Sequence, residues 1–303
     1  MTGSEGSHVV VAVCTIGDPS GCSRTVRALL RQELSESVTV LVVDNNLEPR
    51  VSDLPPGVVV VHEPRAGVAH ARNAAVSRSL AMGAETLVFI DDDEEPSDER
   101  WLAKLLGGLA AHDAAGATGP VLPEFPKGTP AWIARHPVFW HRRLRDGASV
   151  REAATNNLAL RNEVFADVTP WFDVRFDMVG GEDTEFTRRV AAAGYEIAWI
   201  DQATVSESVP ASRSTVRWIL RRSWRIGSNR FQRSRLGTPG ELPLVLLLPA
   251  SVLELLVGFV GAAATGWFSR RLLLVALGRA ARGMGCLAAM LGFQYREYAG
   301  RAS

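Results

Sequence analysis

Short apolar runs alternate with helical periodicity from residue 9 to residue 201, and this alternation is the strongest constraint on how the chain folds. Val9–Cys14 is a continuous apolar run rich in valine, which is typical of a strand buried on both faces of a sheet. A helical pattern follows it between Ser23 and Leu34. Further strand-like runs lie at 38–43, 58–61 and 87–90, and further helical patterns at 66–81 and 97–111. The sequence therefore predicts an α/β fold of the doubly wound type, with a mostly parallel sheet and helices on both faces.

Composition and charge narrow the class of protein. The 303 residues are 47% hydrophobic and 22% charged, which excludes a disordered chain. The net charge is zero, whereas nucleic-acid-binding domains carry a positive excess, so no nucleic-acid partner is expected. Cys14, Cys22 and Cys286 are too few for a disulfide framework or a four-thiolate zinc site, and we expect three reduced thiols.

The C-terminal part of the chain is far more apolar than the rest. Residues 243–268 carry one ionisable side chain, Glu254, and are long enough to cross the hydrocarbon core of a membrane, which takes roughly 20 residues. A second apolar run, 272–293, carries Arg279 and Arg282, and arginines near the middle of a span are costly in lipid. These runs predict a membrane-associated helical region with an open number of crossings. The alternative is a pair of buried helices at a dimer interface, and the oligomeric state is left open.

A basic segment precedes the apolar runs. Eight arginines lie between Arg213 and Arg235, and no acidic residue lies between Glu207 and Glu241. Positive flanks stay on the cytoplasmic side of a membrane and attract anionic lipid. The N-terminus lacks the charged-then-apolar pattern of a signal peptide. We therefore expect the body of the chain on the cytoplasmic face of the cell membrane, with membrane lipid as a partner of the C-terminal segment; a cytoplasmic location is the alternative.

Polar side chains stand at the predicted carboxyl ends of three strands: Thr15, Asp44 and Asp91. In open α/β sheets, ligands bind beyond the carboxyl ends of the strands, at one edge of the sheet. We therefore expect these three side chains to face a single crevice.

Five consecutive carboxylates, Asp91–Glu95, follow one of these strands. Such a concentration of like charge in a turn is unfavourable unless a cation or solvent screens it. Mg²⁺ and Mn²⁺ prefer oxygen ligands, and they typically use one or two carboxylates together with substrate phosphates. We therefore expect Asp91 and Asp93 to face a divalent metal, Mg or Mn, and Glu94 and Glu95 to belong to a solvated turn before the next helix.

Five segments together resemble one known family. The run Asp91–Asp93 after a strand resembles the DxD motif of the family 2 glycosyltransferases, which have the GT-A fold. The other segments, which agree with that family in order and spacing, are Val42–Asn45, Gly67–Ala74, Asn156–Arg161 and the G-E-D segment Gly180–Phe186. The resemblance covers residues from about Val9 to Arg225. It implies an enzyme that transfers a sugar from a nucleoside-diphosphate donor to a hydroxyl acceptor, which would be a glycan, a glycolipid or a lipid-linked intermediate.

The resemblance implies a role for each matching residue on the donor side. Asp93 would hold the metal, with Asp91 and Glu207 as weaker candidates, and the metal would neutralise charge on the leaving diphosphate. The residues of the nucleotide-sugar site would be Thr15, Asp44, Arg72, Asn73, Asp91 and Asp92. Arg72 would either fork onto a phosphate or clamp a neighbouring carboxylate, and Asn73 would be a hydrogen-bonding support.

On the acceptor side, the resemblance implies that Asp183 removes the proton of the acceptor hydroxyl. Asp183 precedes the predicted helix Thr184–Ala193, and an N-cap of that helix is its alternative role. Glu182 and Asn157 would orient the acceptor or the donor sugar. A single base on the face opposite the leaving group implies direct displacement with inversion.

One departure from the family concerns the metal. Many relatives carry a histidine after the strand that corresponds to Tyr195–Ile200, whereas Val205–Pro210 contains none here. The third protein ligand is therefore open, with Glu207 available for a supporting role. The basic segment that covers the donor diphosphate in membrane-linked relatives loosely resembles Arg221, Arg222 and Arg225, for which a grip on anionic lipid is the alternative.

These patterns divide the chain at residues 212 and 240. The expected segments are a catalytic domain at 1–212, with a nucleotide-sugar half at about 9–120 and an acceptor half at about 121–212, a basic juxtamembrane helix at 213–240 and a membrane-associated region at 241–303.

Two other functions stay open. A nucleotidyltransferase calls for a basic, Gly-rich loop after the first strand, but residues 15–21 contain no basic side chain. A catalytically inactive nucleotide-sugar-binding membrane protein is disfavoured by the intact Asp91, Asp93 and Asp183.

Overall fold

The structure is a computed structural model that describes residues 8–16, 19–140, 143–177 and 179–293. The outer ends of the predicted catalytic domain and membrane-associated region lie outside the described residues. The chain forms two compact units. The first contains the described residues up to 122 and those within 143–207, and the second contains 123–140 together with the described residues from 208 onward.

Ten strands form two sheets within the described residues. They are β1 (His8–Thr15), β2 (Ser37–Asp44), β3 (Val59–His62), β4 (Thr86–Asp91), β5 (Glu94–Pro96), β6 (Gly116–Thr118), β7 (Val121–Glu124), β8 (Asn157–Arg161), β9 (Ile197–Trp199) and β10 (Val205–Ser208). The main sheet has the order β3-β2-β1-β4-β8-β6-β9, and the small sheet has the order β5-β10-β7. In the main sheet, the pairs made by β8 are antiparallel and the others are parallel. The predicted mostly parallel sheet is therefore confirmed.

The helices of the described chain cover both faces of the main sheet and build most of the second unit. They are α1 (Pro19–Leu29), α2 (Val68–Ala81), α3 (Trp101–Ala111), α4 (Ala131–Ala134), α5 (Asn162–Asp167), α6 (Glu182–Ala192), α7 (Val216–Arg235), α8 (Leu244–Thr265) and α9 (Arg270–Met290). Alternate residues of β1 enter opposite cores: Val9 and Val11 pack with α1 and α3, whereas Val10 and Ala12 pack with α2. The predicted helical cover on both faces is confirmed.

Strand register brings the predicted polar strand ends to one edge of the sheet. In the β1–β2 pair Thr15 lies opposite Asp44, and in the β1–β4 pair Cys14 lies opposite Asp91. The three cysteines are free thiols, as expected. Burial raises the pKa of Cys22 to about 12, which keeps this thiol protonated.

Two helix boundaries differ from the predicted ones. The helical pattern at 97–111 starts at Trp101, because the residues just before it form β5 and continue toward β10, where the Ser97 N–H donates to the Thr204 carbonyl at 3.0 Å. The pattern at 23–34 is a helix at 19–29. Tertiary strand pairing, which is not encoded in local periodicity, moved the first of these boundaries.

Residues 123–140 belong to the second unit, and their predicted place in the acceptor half of the catalytic domain stays a prediction. They share a core with the C-terminal helices: Ile133 and Phe139 cluster with Ile219 of α7 and Leu274 of α9. The Phe139 ring stacks on Trp218 with their centroids 5.3 Å apart. In the same unit, α8 and α9 are long and apolar enough to cross a membrane, and α8 is the less buried of the two.

Candidate active site

The acidic turn after β4 is fastened to β1 and α1. Thr15, at the end of β1, donates from Oγ1 to Oδ2 of Asp92 at 2.5 Å. Thr25 of α1 donates from Oγ1 to the backbone oxygens of Glu94 at 2.6 Å and of Asp92 at 3.2 Å. Gly21 faces the same turn, and a Cβ there would stand 2.8 Å from the Asp92 carbonyl oxygen. Thr25 was not singled out from the sequence, where a hydroxyl on the apolar face of a predicted helix was the feature that indicated a buried hydrogen bond.

Asp44 organises the loop that follows β2. Its Oδ1 accepts hydrogen bonds from the backbone and side-chain nitrogens of Asn46, and its Oδ2 accepts from the N–H groups of Arg50 and Val51. Burial alone would raise the pKa of Asp44, but these hydrogen bonds outweigh burial and lower it. They use the four acceptor positions that a carboxylate offers. A contact with a nucleoside, which the resemblance implies, would have to replace one of them.

Asn45 holds the loop that leads into α2, and it was not singled out from the sequence. Its side-chain amide donates to the carbonyl oxygens of Glu63 and Arg65, both at 2.8 Å, and its Oδ1 accepts from the Gly67 N–H at 3.1 Å. The two loops at this edge of the sheet are therefore tied together by one buried amide.

Arg72 bridges the two predicted halves of the site. Its buried side chain projects from α2, where Nη1 donates to Oε1 of Glu182 and Nη2 donates to Oδ1 of Asp91 at 3.4 Å. Burial alone would lower the pKa of the guanidinium. The carboxylates of Glu182, Asp91 and Asp183 outweigh burial and raise the pKa, so Arg72 remains charged. Of the two roles that the sequence left open, this geometry is that of a clamp on carboxylates.

Two residues predicted to orient a sugar, Glu182 and Asn157, are buried. Glu182 is packed against Arg72 with only 4% of its side chain exposed. Asn157 is fully buried: its Oδ1 accepts from Trp101 Nε1 at 3.1 Å, and its amide donates to the Ala203 carbonyl at 2.8 Å. Both side chains make contacts inside the protein, and their roles toward a sugar stay predictions.

Asn73 fastens α2 to the segment before α6. Its amide donates to the Phe172 carbonyl at 2.8 Å, and its Oδ1 accepts from the Phe172 N–H at 3.0 Å. The Arg72 guanidinium lies 5.9 Å from the centre of the Phe172 ring. Asn73 therefore supports the position of Arg72, and the nucleotide-sugar contact assigned to it stays a prediction.

Glu94 is buried rather than solvated, which corrects the expectation for this residue. It is 1% exposed, and its Oε1 accepts from Asn156 Nδ2 at 2.6 Å. Burial, followed by repulsion from Asp91, Asp93 and Glu207, raises the pKa of Glu94 well above its ordinary value. Glu207 lies opposite Glu94 in the antiparallel β5–β10 pair. The carboxylates of Asp91 and Asp93 in the turn and of Glu207 in β10 are therefore all close enough to Glu94 to repel it.

The turn offers oxygen ligands that fit a hard cation. Asp91 is 42% exposed, and desolvation together with the charges of Asp93 and Asp183 raises its pKa, while Arg72 opposes this rise. Within the part of the chain that the structure describes, no group of three or more His, Cys, Asp or Glu side chains is arranged to hold a metal ion. Mg²⁺ and Mn²⁺ typically use one or two carboxylates together with substrate phosphates, and the exposed Asp91 carboxylate has the chemistry of such a ligand.

Two glycines precede Asp183. Gly180 and Gly181 have φ of 78° and 93°, a conformation that side chains disfavour, which explains the glycine pair at the start of the G-E-D segment. α6 begins at Glu182 with Gly181 at the N-cap position, so Asp183 lies in the first turn and the N-cap alternative is wrong. The Asp183 side chain is half-buried, and its Oδ1 accepts from the Thr184 N–H at 2.6 Å.

The start of α2 is held by a carboxylate from the opposite half of the sequence. Asp177 Oδ1 accepts from the N–H groups of Ala69 at 2.6 Å and His70 at 3.2 Å, which satisfies two donors that a helix leaves unpaired at its start. Gly67 has φ of 142°, and a Cβ there would overlap the Asp177 side chain. The approach of Asp177 to α2 therefore requires glycine at position 67.

Gly67→Ala is expected to lower the free energy of unfolding by about 3 kcal/mol, because it adds both backbone strain and an overlap with Asp177. Gly83→Ala is the matched control, since Gly83 also has positive φ but no atom within 4 Å of a built Cβ. We expect the control to lose about 1 kcal/mol. Urea denaturation of both variants measures the difference, and equal losses would contradict the role given to Asp177.

The arginines predicted for the donor diphosphate lie in the second unit. Arg221, Arg222 and Arg225 are on α7, where Arg221 is exposed, Arg225 is buried and the Arg222 guanidinium lies 5.9 Å from the centre of the Trp218 ring. Their diphosphate role stays a prediction, as does the alternative contact with anionic lipid.

Comparison with known proteins gives one family for this chain. The model of Glycosyl transferase family 2 matches residues 10–168. The chain is 29% identical over 234 residues to the succinoglycan biosynthesis protein ExoM of Rhizobium meliloti (strain 1021), which is 74% of this chain and 74% of the relative.

Two solved structures share the fold at low sequence identity. The mannosyltransferase PcManGT from Pyrobaculum calidifontis, in complex with GDP-Man and Mn²⁺, matches with a TM-score of 0.63 and 17% identity over 94% of this chain and 88% of that chain. GalNAc-T7, with UDP, GalNAc and Mn²⁺, matches with a TM-score of 0.53 and 14% identity over 76% of this chain. The matched region spans about half (51%) of the GalNAc-T7 chain.

Proposed function

Because the chain belongs to glycosyl transferase family 2 and is a glycosyltransferase, we propose that it moves a sugar from a nucleoside-diphosphate donor to a hydroxyl acceptor with inversion and with a divalent metal. The observation that carries this proposal is the Arg72 bridge. One guanidinium contacts Asp91 of the DxD segment and Glu182 of the G-E-D segment, and the charge of Asp183 acts on both Arg72 and Asp91. The proposed base would therefore lie near the donor-side carboxylate, as a single displacement requires.

On the donor side, Asp93 would hold the metal ion with Asp91 as a second ligand. The Mn²⁺ in the two structural neighbours supports a divalent metal. When bound, the metal would neutralise negative charge that develops on the departing diphosphate. Asp92 is held by Thr15, and the backbone of the same turn is held by Thr25, so the two ligands project from a fixed loop. Glu207 supports the turn from β10 as a weaker ligand candidate.

On the acceptor side, Asp183 would accept the proton of the attacking hydroxyl. It lies in the first turn of α6, near the positive end of the helix dipole, and its other neighbours are the Arg72 and Asp91 charges. Glu182 holds the Arg72 guanidinium in place, and Arg72 in turn positions the Asp91 carboxylate. Because one base serves one displacement, the product would have the opposite anomeric configuration to the donor.

The acceptor would be a glycan or a lipid-linked glycan, and the enzyme would work at a membrane. The similarity to a succinoglycan biosynthesis protein supports polysaccharide assembly, and the apolar helices α8 and α9 support membrane association. We place the catalytic unit on the cytoplasmic face because the anionic lipid of the cytoplasmic leaflet attracts the arginine-rich α7.

Donor binding by calorimetry tests the metal assignment. With Mn²⁺ present, a panel of nucleotide sugars should identify the donor, and chelation of the metal should weaken its binding at least tenfold. Asp93→Asn should lose most of this chelator sensitivity. Glu95→Gln is the matched control, because it removes a charge from the same turn at a side chain that pairs with Arg24 on the surface, 3.5 Å away.

Two outcomes would contradict the proposal. Donor affinity in the original chain that is the same with and without chelator would refute metal dependence. Donor binding without any transfer to acceptors, in the presence of metal, would favour the inactive sugar-binding alternative.

A further inference from the structure

The three long helices of the second unit form a stack with α9 in the middle. α9 packs along α8 on one side and along α7 on the other, whereas α7 and α8 share few contacts. Small residues let the helices approach closely: Gly258 of α8 meets Ala280, and Gly227 of α7 meets the backbone at Arg282. Gly278 of α9 faces Ser223 of α7, four residues before each member of the 227–282 pair. α7 and α9 therefore run in parallel, side by side, through the middle of both.

Polarity falls in steps across this stack. α7 contains seven arginines, α9 contains four, and α8 has one ionisable residue, Glu254. Glu254 points into the stack, where its carboxylate lies 3.0 Å from Arg282 Nε of α9 and 3.4 Å from Arg230 Nη1 of α7. The rest of the α8 surface is thus free of charge.

The outward surface of α8 is apolar and uncovered within the described second unit. Val245, Leu253 and Val260 are all strongly exposed, and so are the aromatic residues of the turn between α8 and α9, with Trp267 90% and Phe268 87% exposed. An exposed apolar surface that runs along a whole helix marks contact with a partner or a membrane. Aromatic residues at its end are typical of the boundary between lipid and water.

The position of α7 decides how such a surface meets lipid. If α8 and α9 crossed a bilayer, the middle of α7, with Arg221, Arg222 and Arg225, would lie beside the middle of α9 in the hydrocarbon. Arginines at that depth are costly and rare. If the helix axes are parallel to the membrane plane, each helix lies at a single depth. α8 then lies in the hydrocarbon, and α7 lies at the depth of the lipid phosphates. A helix is about 10–12 Å wide, which fits within half of a hydrocarbon core of about 30 Å.

We propose that α8 and the Trp267–Phe268 turn lie within one leaflet of an anionic membrane, with the helix axes parallel to its plane and neither α8 nor α9 crossing it. A cavity of about 460 Å³ between the three helices has the same polarity order, since Arg217 and Arg221 line it on α7 and Phe259 lines it on α8. This arrangement holds the arginines at the level of the phosphates, where each adds attraction to anionic lipid. The inference does not depend on the transfer reaction.

Spin labels on one face of α8 test the proposal in the full chain. Val245, Val252 and Phe259 are seven residues apart and exposed on the same face, so cysteines there report depth at steps of about 10 Å along the helix. The variants are made with Cys14→Ala, bound to vesicles of phosphatidylglycerol and phosphatidylethanolamine, and measured by oxygen and nickel accessibility. A label at the exposed Glu48 of the first unit is the control.

Equal depths of the three labels, within a few ångströms and below the phosphates, are expected. Depths that differ by about 10 Å from one label to the next would show that α8 crosses the bilayer and would overturn the proposal. Three labels in water would overturn it as well, and sedimentation would then test the dimer interface.

As a second measurement, Arg217→Gln and Arg221→Gln are each expected to weaken binding to these vesicles about fivefold. An unchanged affinity would contradict the depth assigned to α7.

Discussion

Asp183→Asn is expected to lower the rate of sugar transfer about 10²- to 10⁴-fold while the affinity for the donor stays unchanged. The substitution removes the only property that the proposed base needs, its capacity to take a proton. Asparagine keeps the shape of the side chain and an oxygen that accepts the Thr184 N–H, so the first turn of α6 is preserved. Steady-state transfer and donor calorimetry on the same preparation measure the two effects separately.

Asp98→Asn is the control for the Asp183 substitution. Asp98 lies three residues before α3, and its Oδ1 also accepts from a backbone N–H, that of Arg100, but it lies on the surface beside Lys104. Its transfer rate should stay within a factor of about two, as expected of a surface substitution. Transfer by Asp183→Asn at the original rate would refute the base assignment, and retention of anomeric configuration in the product would refute direct displacement.

Arg72→Gln is expected to lower the free energy of unfolding by about 3–5 kcal/mol and to abolish transfer. Its guanidinium and the Glu182 carboxylate are both buried, and removing one partner of a buried ion pair leaves the other charge without compensation. Urea denaturation measures the loss. The double substitution Arg72→Gln with Glu182→Gln should recover much of the stability, because no charge is then left buried.

The surface pair of Arg24 and Glu95 supplies the comparison for this prediction. The two side chains are 58% and 46% exposed, so Arg24→Gln should change the free energy of unfolding by no more than about 1 kcal/mol. If Arg72→Gln were no more destabilising than Arg24→Gln, or if the double substitution were less stable than either single one, the bridge would not be the element that joins the two halves.

The sequence predicted the features that depend on local pattern and chain order. Apolar runs located the strands, and because parallel strands end at one edge, Thr15, Asp44 and Asp91 were correctly expected to lie together. Helix periodicity located α2 and α6 to within two residues. These signals are properties of neighbouring residues, so a single sequence carries them.

The features that the sequence analysis missed depend on contacts between distant segments. Glu94 looked like one more solvated acid, yet Asn156 from 62 positions along the chain buries and binds it. Asn157 looked like a ligand, yet its amide is used by the core at Trp101. Residue type alone does not tell on which side of the backbone a polar side chain lies. A side chain on the inner side makes hydrogen bonds in the core, whereas one on the outer side is available to a ligand.

The Arg72 bridge also affects how hybrid enzymes should be made from this chain and its relatives. Its three members come from α2, the end of β4 and the start of α6, so a crossover placed between residues 91 and 182 takes them from different parents. Recombinants are expected to remain productive when both parents carry arginine, aspartate and glutamate at these sites. Where one parent lacks a member, all three should be inherited as a block.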